Sequence, residues 1–196
     1  MSISFLYEEG ELQALGFAAI GKNVSIDRSV RFFGIGNISI GDNVRIDPFC
    51  LLSAGPGGIS IGRNVHLGVS CSLIGRARIE LHDFAGLSGK TSIYSSTDDY
   101  LSGAMTNPTV PEEFTNVVSK PVIVYRHAVV GTGSVLLPGV TVGQGAAIGA
   151  LSLVRKNVEE YAILLGNPAK KIGQRGRTFL DHEIVLRRWE EGKDPT

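Results

Sequence analysis

At 196 residues the chain is long enough for one substantial domain with small terminal additions. Its nineteen basic and nineteen acidic residues cancel, which removes the electrostatic motive for binding nucleic acid or an anionic membrane as a main activity. No apolar run approaches a membrane span, residues 1–9 do not read as a signal peptide, and two cysteines are too few for a disulfide framework, so a cytoplasmic protein is expected.

In chain order, residues 1–19 contain a short helical stretch from Tyr7 to Leu15, read as a cap. From residue 20 large aliphatic residues recur every sixth position. The first run is Ile20, Ile26 and Phe32; the second is Ile40, Ile46 and Leu52. A third holds Ile61, Leu67, Leu73, Ile79, Ala85 and Thr91, and a fourth Val124, Val130, Leu136, Val142, Ile148 and Val154. Gly or an acidic residue often follows the large one, and a small or β-branched residue sits four places after it. A period of six is neither the helical 3.6 nor strand alternation. It suits a short strand followed by a corner, repeated, with three sides closing a triangular coil.

Each run holds a multiple of three hexads, so every interruption falls at the same corner of a prism. Six coils at strand spacing give a length of about 29 Å. The fold class expected is an all-β solenoid, a parallel β-helix spanning 20–158 with a loop excursion at 95–121. An N-terminal cap (1–19) and a C-terminal segment (159–196) flank it. In the latter, Phe179, Leu180, Glu183, Ile184, Leu186, Arg187 and Trp189 fit a half-apolar helix. Cys50 and Cys71 fall at the small inward position and read as core filler.

The stretch Val130-Gly-Thr-Gly-Ser-Val-Leu-Leu-Pro-Gly-Val-Thr-Val-Gly143, with Ile148-Gly-Ala-Leu-Ser-Leu-Val-Arg-Lys156 and Leu165-Gly-Asn-Pro-Ala-Lys-Lys-Ile172, resembles the hexapeptide-repeat acyltransferases. These include galactoside, maltose and xenobiotic O-acetyltransferases and sugar-nucleotide N-acetyltransferases. The resemblance covers roughly residues 20–175. It implies left-handed winding and a homotrimer with active sites between subunits. It also implies acetyl-CoA as co-substrate and a sugar or sugar-nucleotide acceptor, with no metal, nucleic acid or membrane insertion. Gly131, Thr132 and Ala150 match positions lining the pantetheine. Arg155, Lys156 and Lys170 match positions near the CoA phosphates, and Asn167, Pro168 and Ala169 the turn at the adenine end.

Acyl transfer from a thioester needs an acceptor freed of its proton and a donor to the developing oxyanion. In many family members a histidine of the long loop is the base, but the loop from Tyr94 to Pro121 contains none. Asp98 and Asp99 fall roughly where that histidine is expected. They are candidates either as bases or as groups binding a substrate ammonium or sugar hydroxyls. Tyr94, Tyr100 and Asn107 are the expected acceptor contacts. A third account uses His82 and His127, which the repeat frame stacks on the first side of consecutive coils, with Asp83 orienting His82. His66 and His182 have no comparable setting in that frame.

The missing loop histidine leans towards N-acylation, since an amine needs less help than a hydroxyl. The function expected is acetylation of an amino sugar, more so a nucleotide-linked one, in surface-polysaccharide synthesis. The alternative is O-acetylation of a saccharide or small hydroxylated compound. A carbonic-anhydrase-like zinc protein and a non-catalytic scaffold are lesser alternatives, the first because His66, His82 and His127 lack the spacing of a three-histidine site.

Overall fold

The computed structural model describes residues 5–192. Three parallel sheets run along the molecule, each taking one strand from every coil. The first face stacks Ala19–Ile20, Ile38–Ile40, Ile59–Ile61, Ile79–Leu81, Val122–Val124 and Thr141–Val142. The second stacks Ser25–Ile26, Arg45–Ile46, His66–Leu67, Gly86–Leu87, Val129–Val130 and Ala147–Ile148. The third stacks Arg31–Phe33, Leu51–Ala54, Ser72–Gly75, Ser92–Tyr94, Val135–Leu136 and Leu153–Val154.

Parallel, in-register pairing sets equivalent hexad positions directly over one another, so each large residue extends a column inside the prism. On the second face that column is Ile26, Ile46, Leu67, Leu87, Val130 and Ile148, none more than 3% exposed. Each such side chain contributes roughly 1.5–3 kcal/mol of burial. Cys50 and Cys71 are buried, unpaired thiols in the interior.

The repeat frame needs one correction. Two extra residues lie between Leu73 and Leu81, so the third run of hexads is two runs of three. Leu81, not Ile79, pairs with Ile61 and Val124, and Leu87 and Ile93 take the large positions assigned to Ala85 and Thr91. Ile79, Ala85 and Thr91 are still buried, but at the smaller inward position two residues earlier. Their burial on both readings is why spacing alone hid the slip. The rule that insertions fall at one corner holds throughout: every break lies between the third face and the next first face.

The solenoid also runs past residue 158. Val158 bridges to Val142, and Ala162–Leu165 joins the second face before Lys170–Gln174 closes it antiparallel, which adds an incomplete seventh turn to the six coils expected. At the other end, helix α1 (Glu9–Ala14) carries a capping box between Glu8 and Glu11 and buries Leu12 against the first coil. Helix α2 (Phe179–Glu190) lies back along the corner between the first and second faces. Among the described residues no helix is long and apolar enough to cross a membrane.

Candidate active site

Between the second and third faces, successive coils stack Pro48, Val69, Gly89, Thr132 and Ala150. The carbonyls of the first four accept from the N–H of Ser70, Lys90, Gly133 and Leu151 at 2.8–3.0 Å. Gly131 is required here: a Cβ on it would lie 2.5 Å from the Ala150 nitrogen, so any side chain would push the coils apart. The Thr132 hydroxyl donates to the Gly89 carbonyl at 2.5 Å and so knits two coils. At the C-terminal end of the solenoid a cavity of about 350 Å³ is lined by Arg155, Lys156, Pro168, Ala169, Lys170 and Lys171 among others. Lys171 is engaged by Glu159 at 2.6 Å. Arg155, Lys156 and Lys170 are exposed and form no ion pair among the described residues. The basic side chains singled out in the sequence are thus brought together, and Asn167 lies just outside that lining.

The excursion leaves at the opposite edge of the third face. It is pinned by the antiparallel pair Ser96–Thr97 and Val118–Ser119, and encloses a cavity of about 540 Å³ lined in part by Tyr94, Asp98, Asn107, Arg76 and Glu112. The adjacent aspartates differ in employment. Asp99 accepts from the N–H groups of Leu101 at 2.8 Å and Ser102 at 3.0 Å, from the Ser102 hydroxyl and from Asn116. The backbone donors of Leu101 and Ser102 hold its carboxyl below the ordinary carboxylate value. A carboxylate so occupied makes a turn and is a poor proton acceptor. Asp98 faces the cavity instead. Asn107 uses its side-chain oxygen to cap Thr109, and Tyr100 is 83% exposed, outside the cavity lining.

The two-residue slip changes the coil histidines. His82 does not stack on His127. His82 lies against Tyr125, ring centroids 4.6 Å apart, and His127 against Phe84 at 4.8 Å. Asp83 does not orient His82, because its carboxylate accepts the Arg63 N–H at 3.0 Å; Glu80 lies 3.2 Å from the His82 ring. His127 occupies a left-handed corner slot (φ 57°) in a column with Asn23, Asn43, Asn64 and Phe84, a backbone region where Asn, Asp and His are enriched. Its Nε2 meets Glu183 of α2 at 2.5 Å, and Phe179 packs against its other face. Glu183 also takes Arg126 and Arg187. Burial pushes the Glu183 carboxyl up, but the hydrogen bonds from His127 and Arg187 outweigh it and hold the group below its ordinary value.

No family model matches the chain. A dTDP-4-amino-4,6-dideoxy-D-glucose acyltransferase of Escherichia coli is 44% identical over 180 residues, 92% of this chain and 94% of its own length. The chain belongs to the hexapeptide-repeat acyltransferases. The N-acyltransferase AntD of Bacillus cereus superposes with a TM-score of 0.90 at 35% identity, over 96% of this chain and all of AntD, and a point mutant of it with a TM-score of 0.91. Its structures hold dTDP-4-amino-4,6-dideoxyglucose with coenzyme A, and dTDP with 3-hydroxybutyryl-CoA. A maltose O-acetyltransferase of Clostridium difficile, 20% identical over 86% of this chain and 75% of its own, shares the fold with a TM-score of 0.59.

For a hexapeptide-repeat acyltransferase one pair stands out that the sequence reading passed over. His66 Nε2 lies 2.9 Å from Asp47 Oδ2, and Arg45 Nε lies 2.7 Å from Asp47 Oδ1. In these coils the hexad spacing matches the strand register: Asp47 follows Ile46, His66 precedes Leu67, and the two large residues occupy adjacent rungs. The outward positions flanking these two large residues therefore carry the sequence signal for this diagonal pair. Among the described residues no group of three His, Cys, Asp or Glu side chains is placed to hold a metal ion.

Proposed function

We propose that the chain transfers an acyl group from a CoA thioester to the amino group of a dTDP-linked amino sugar, within a cytoplasmic homotrimer and in the service of surface-polysaccharide synthesis. The observation that carries the donor half is the cavity at the C-terminal end of an open corner ladder, where Arg155, Lys156 and Lys170 offer unpaired cations. Pyrophosphate and phosphate oxygens would meet these cations. The pantetheine arm would then run along Ala150 and Thr132 towards the N-terminal coils, with Gly131 permitting the close stacking beneath it. The acceptor half is supported by the near full-length likeness to an enzyme of that substrate class and by AntD.

Asp98 sits on an excursion that leaves at one edge of the third face, and the ladder lies at the other. An arrangement in which the excursion of one copy reaches the ladder of the next brings the two together, which favours sites between subunits. There the Asp98 carboxylate would hold the acceptor amine by a charge-assisted hydrogen bond and aim its nitrogen at the thioester carbonyl.

The deciding experiment measures thiol release from acetyl-CoA and 3-hydroxybutyryl-CoA with dTDP-4-amino-4,6-dideoxyglucose or dTDP-glucose as acceptor. Release with the amino sugar alone is expected. Release confined to the hydroxyl acceptor would replace this reading with O-acylation. Asp98→Asn is expected to lower kcat/KM by about a hundredfold, and light scattering should return the mass of three chains.

A further inference from the structure

Outside the second face, Arg45, His66, Gly86 and Val129 occupy successive rungs of one column. Gly86 leaves this column without a side chain, and no atom lies within 4 Å of the point where its Cβ would be. The gap forms a notch floored by strand backbone, with His66 on the rung beside it. A cavity of about 400 Å³ opens there, bordered by Asp47, His66, Val69, Ser88 and Gly89. Val69 and Gly89 are rungs of the same ladder that continues through Thr132 to Ala150. A donor whose phosphates lie at the C-terminal cavity and whose arm passes Ala150 and Thr132 meets this notch next.

The chemistry of the pair suits that place. Burial pushes the Asp47 carboxyl up, but hydrogen bonds from His66 and Arg45 outweigh it, so the carboxylate stays ionised. With Asp47 accepting the Nε2 hydrogen, the neutral imidazole carries its lone pair on Nδ1, which has no partner among the described residues. Asp47 and His66 are the titratable groups of the lining, and Arg45 faces them from the preceding rung. Asp27, one coil earlier, turns its carboxylate to Ser29.

We propose that His66, oriented by Asp47, is the proton acceptor for acyl transfer in this notch, a role that rests on the CoA-dependent reading above. The neutral acceptor amine attacks the thioester carbonyl carbon and a C–N bond forms. The proton displaced from nitrogen passes to His66 Nδ1. The tetrahedral adduct collapses, the C–S bond breaks with its electron pair on sulfur, and the sulfur takes the proton from His66. Free CoA thiol and neutral imidazole result, so protons and electrons balance without a further reactant. Asp98 keeps the separate task of holding the acceptor.

The test compares wild type, His66→Asn and Asp47→Asn for kcat against pH, for CoA affinity by calorimetry and for melting temperature. His66→Asn is expected to lower kcat by about a hundred- to ten-thousandfold, to leave CoA affinity and melting unchanged, and to erase the acid limb of the kcat profile. Asp47→Asn should lower kcat less than His66→Asn does and leave acceptor KM unchanged, because the imidazole keeps its place but loses the carboxylate that orients it. Wild-type kcat in His66→Asn, or a loss confined to CoA affinity or acceptor KM, would overturn the assignment. Failure of the wild type to release thiol from either CoA thioester would instead overturn the acyltransfer reading itself.

Discussion

The corners on either side of the second face use the same hexad positions. Three places after the large residue, the backbone turns left-handed in both. One column is Asn23, Asn43, Asn64, Phe84, His127 and Gly145; the other is Phe49, Ser70, Lys90, Gly133 and Leu151. What differs is the exterior. Over the first corner α2 lays Phe179 and Glu183 against His127, leaving that side chain 10% exposed, and ties Glu190 to Arg63 at 2.7 Å. The second corner stays open, and His66, on the second face that leads into it, keeps its side chain 53% exposed. Two histidines, each bonded to a carboxylate, therefore have different consequences. Where a helix covers the ring, the pair fastens an end of the chain; where a notch adjoins it, the pair can exchange protons with a ligand.

The sharpest way to break this comparison is to disturb the open corner's backbone. Gly131→Ala is expected to cost about 3 kcal/mol, since its Cβ meets the next coil's backbone, and denaturant melts would show it. Next comes Glu183→Gln at the covered corner, with a loss of about 2 kcal/mol and faster amide exchange in α2. The same group sets a pH dependence. Its folded-state carboxyl lies below the ordinary 4.5, so its stabilisation is complete above that value and is lost as the pH falls through the depressed one. Exchange in α2 should rise in acid for the wild type and not for Glu183→Gln. His127→Asn retains a residue suited to the left-handed slot but loses the Glu183 bond and the ring contacts with Phe84 and Phe179, for about 1–2 kcal/mol, with turnover unchanged. The smallest effect belongs to Gly86→Ala, which has room for its methyl and should stabilise by about 0.5 kcal/mol; a loss of stability there would show the notch to be filled.

The solenoid was legible because its code is local: each hexad independently states a strand, a corner and an inward residue. The slip at Leu73 shows the limit of that code. Ile79 is buried in either register, so hydrophobicity could not choose, whereas strand pairing could. The same two-residue offset sets His82 beside Tyr125 and not over His127, because which outward side chains stack depends on every offset before them. Arg155, Lys156 and Lys170 line one cavity whatever the register of the middle coils, since they belong to a motif at the end of the chain and not to the running count.

By itself the sequence determined the prism, the shared corner for all insertions, the caps and the basic character of the C-terminal segment, because periodic burial and turn chemistry act within a few residues. Only the tertiary structure decided which outward side chains meet. It gave Asp99 to its own loop and Asp98 to a cavity, gave His127 to α2 across 56 positions of sequence, and set Asp47 against His66. Outward residues of a solenoid are not constrained by the core. Their partners are fixed by the stacking of coils and by where the chain's ends return, and neither is written within a single hexad.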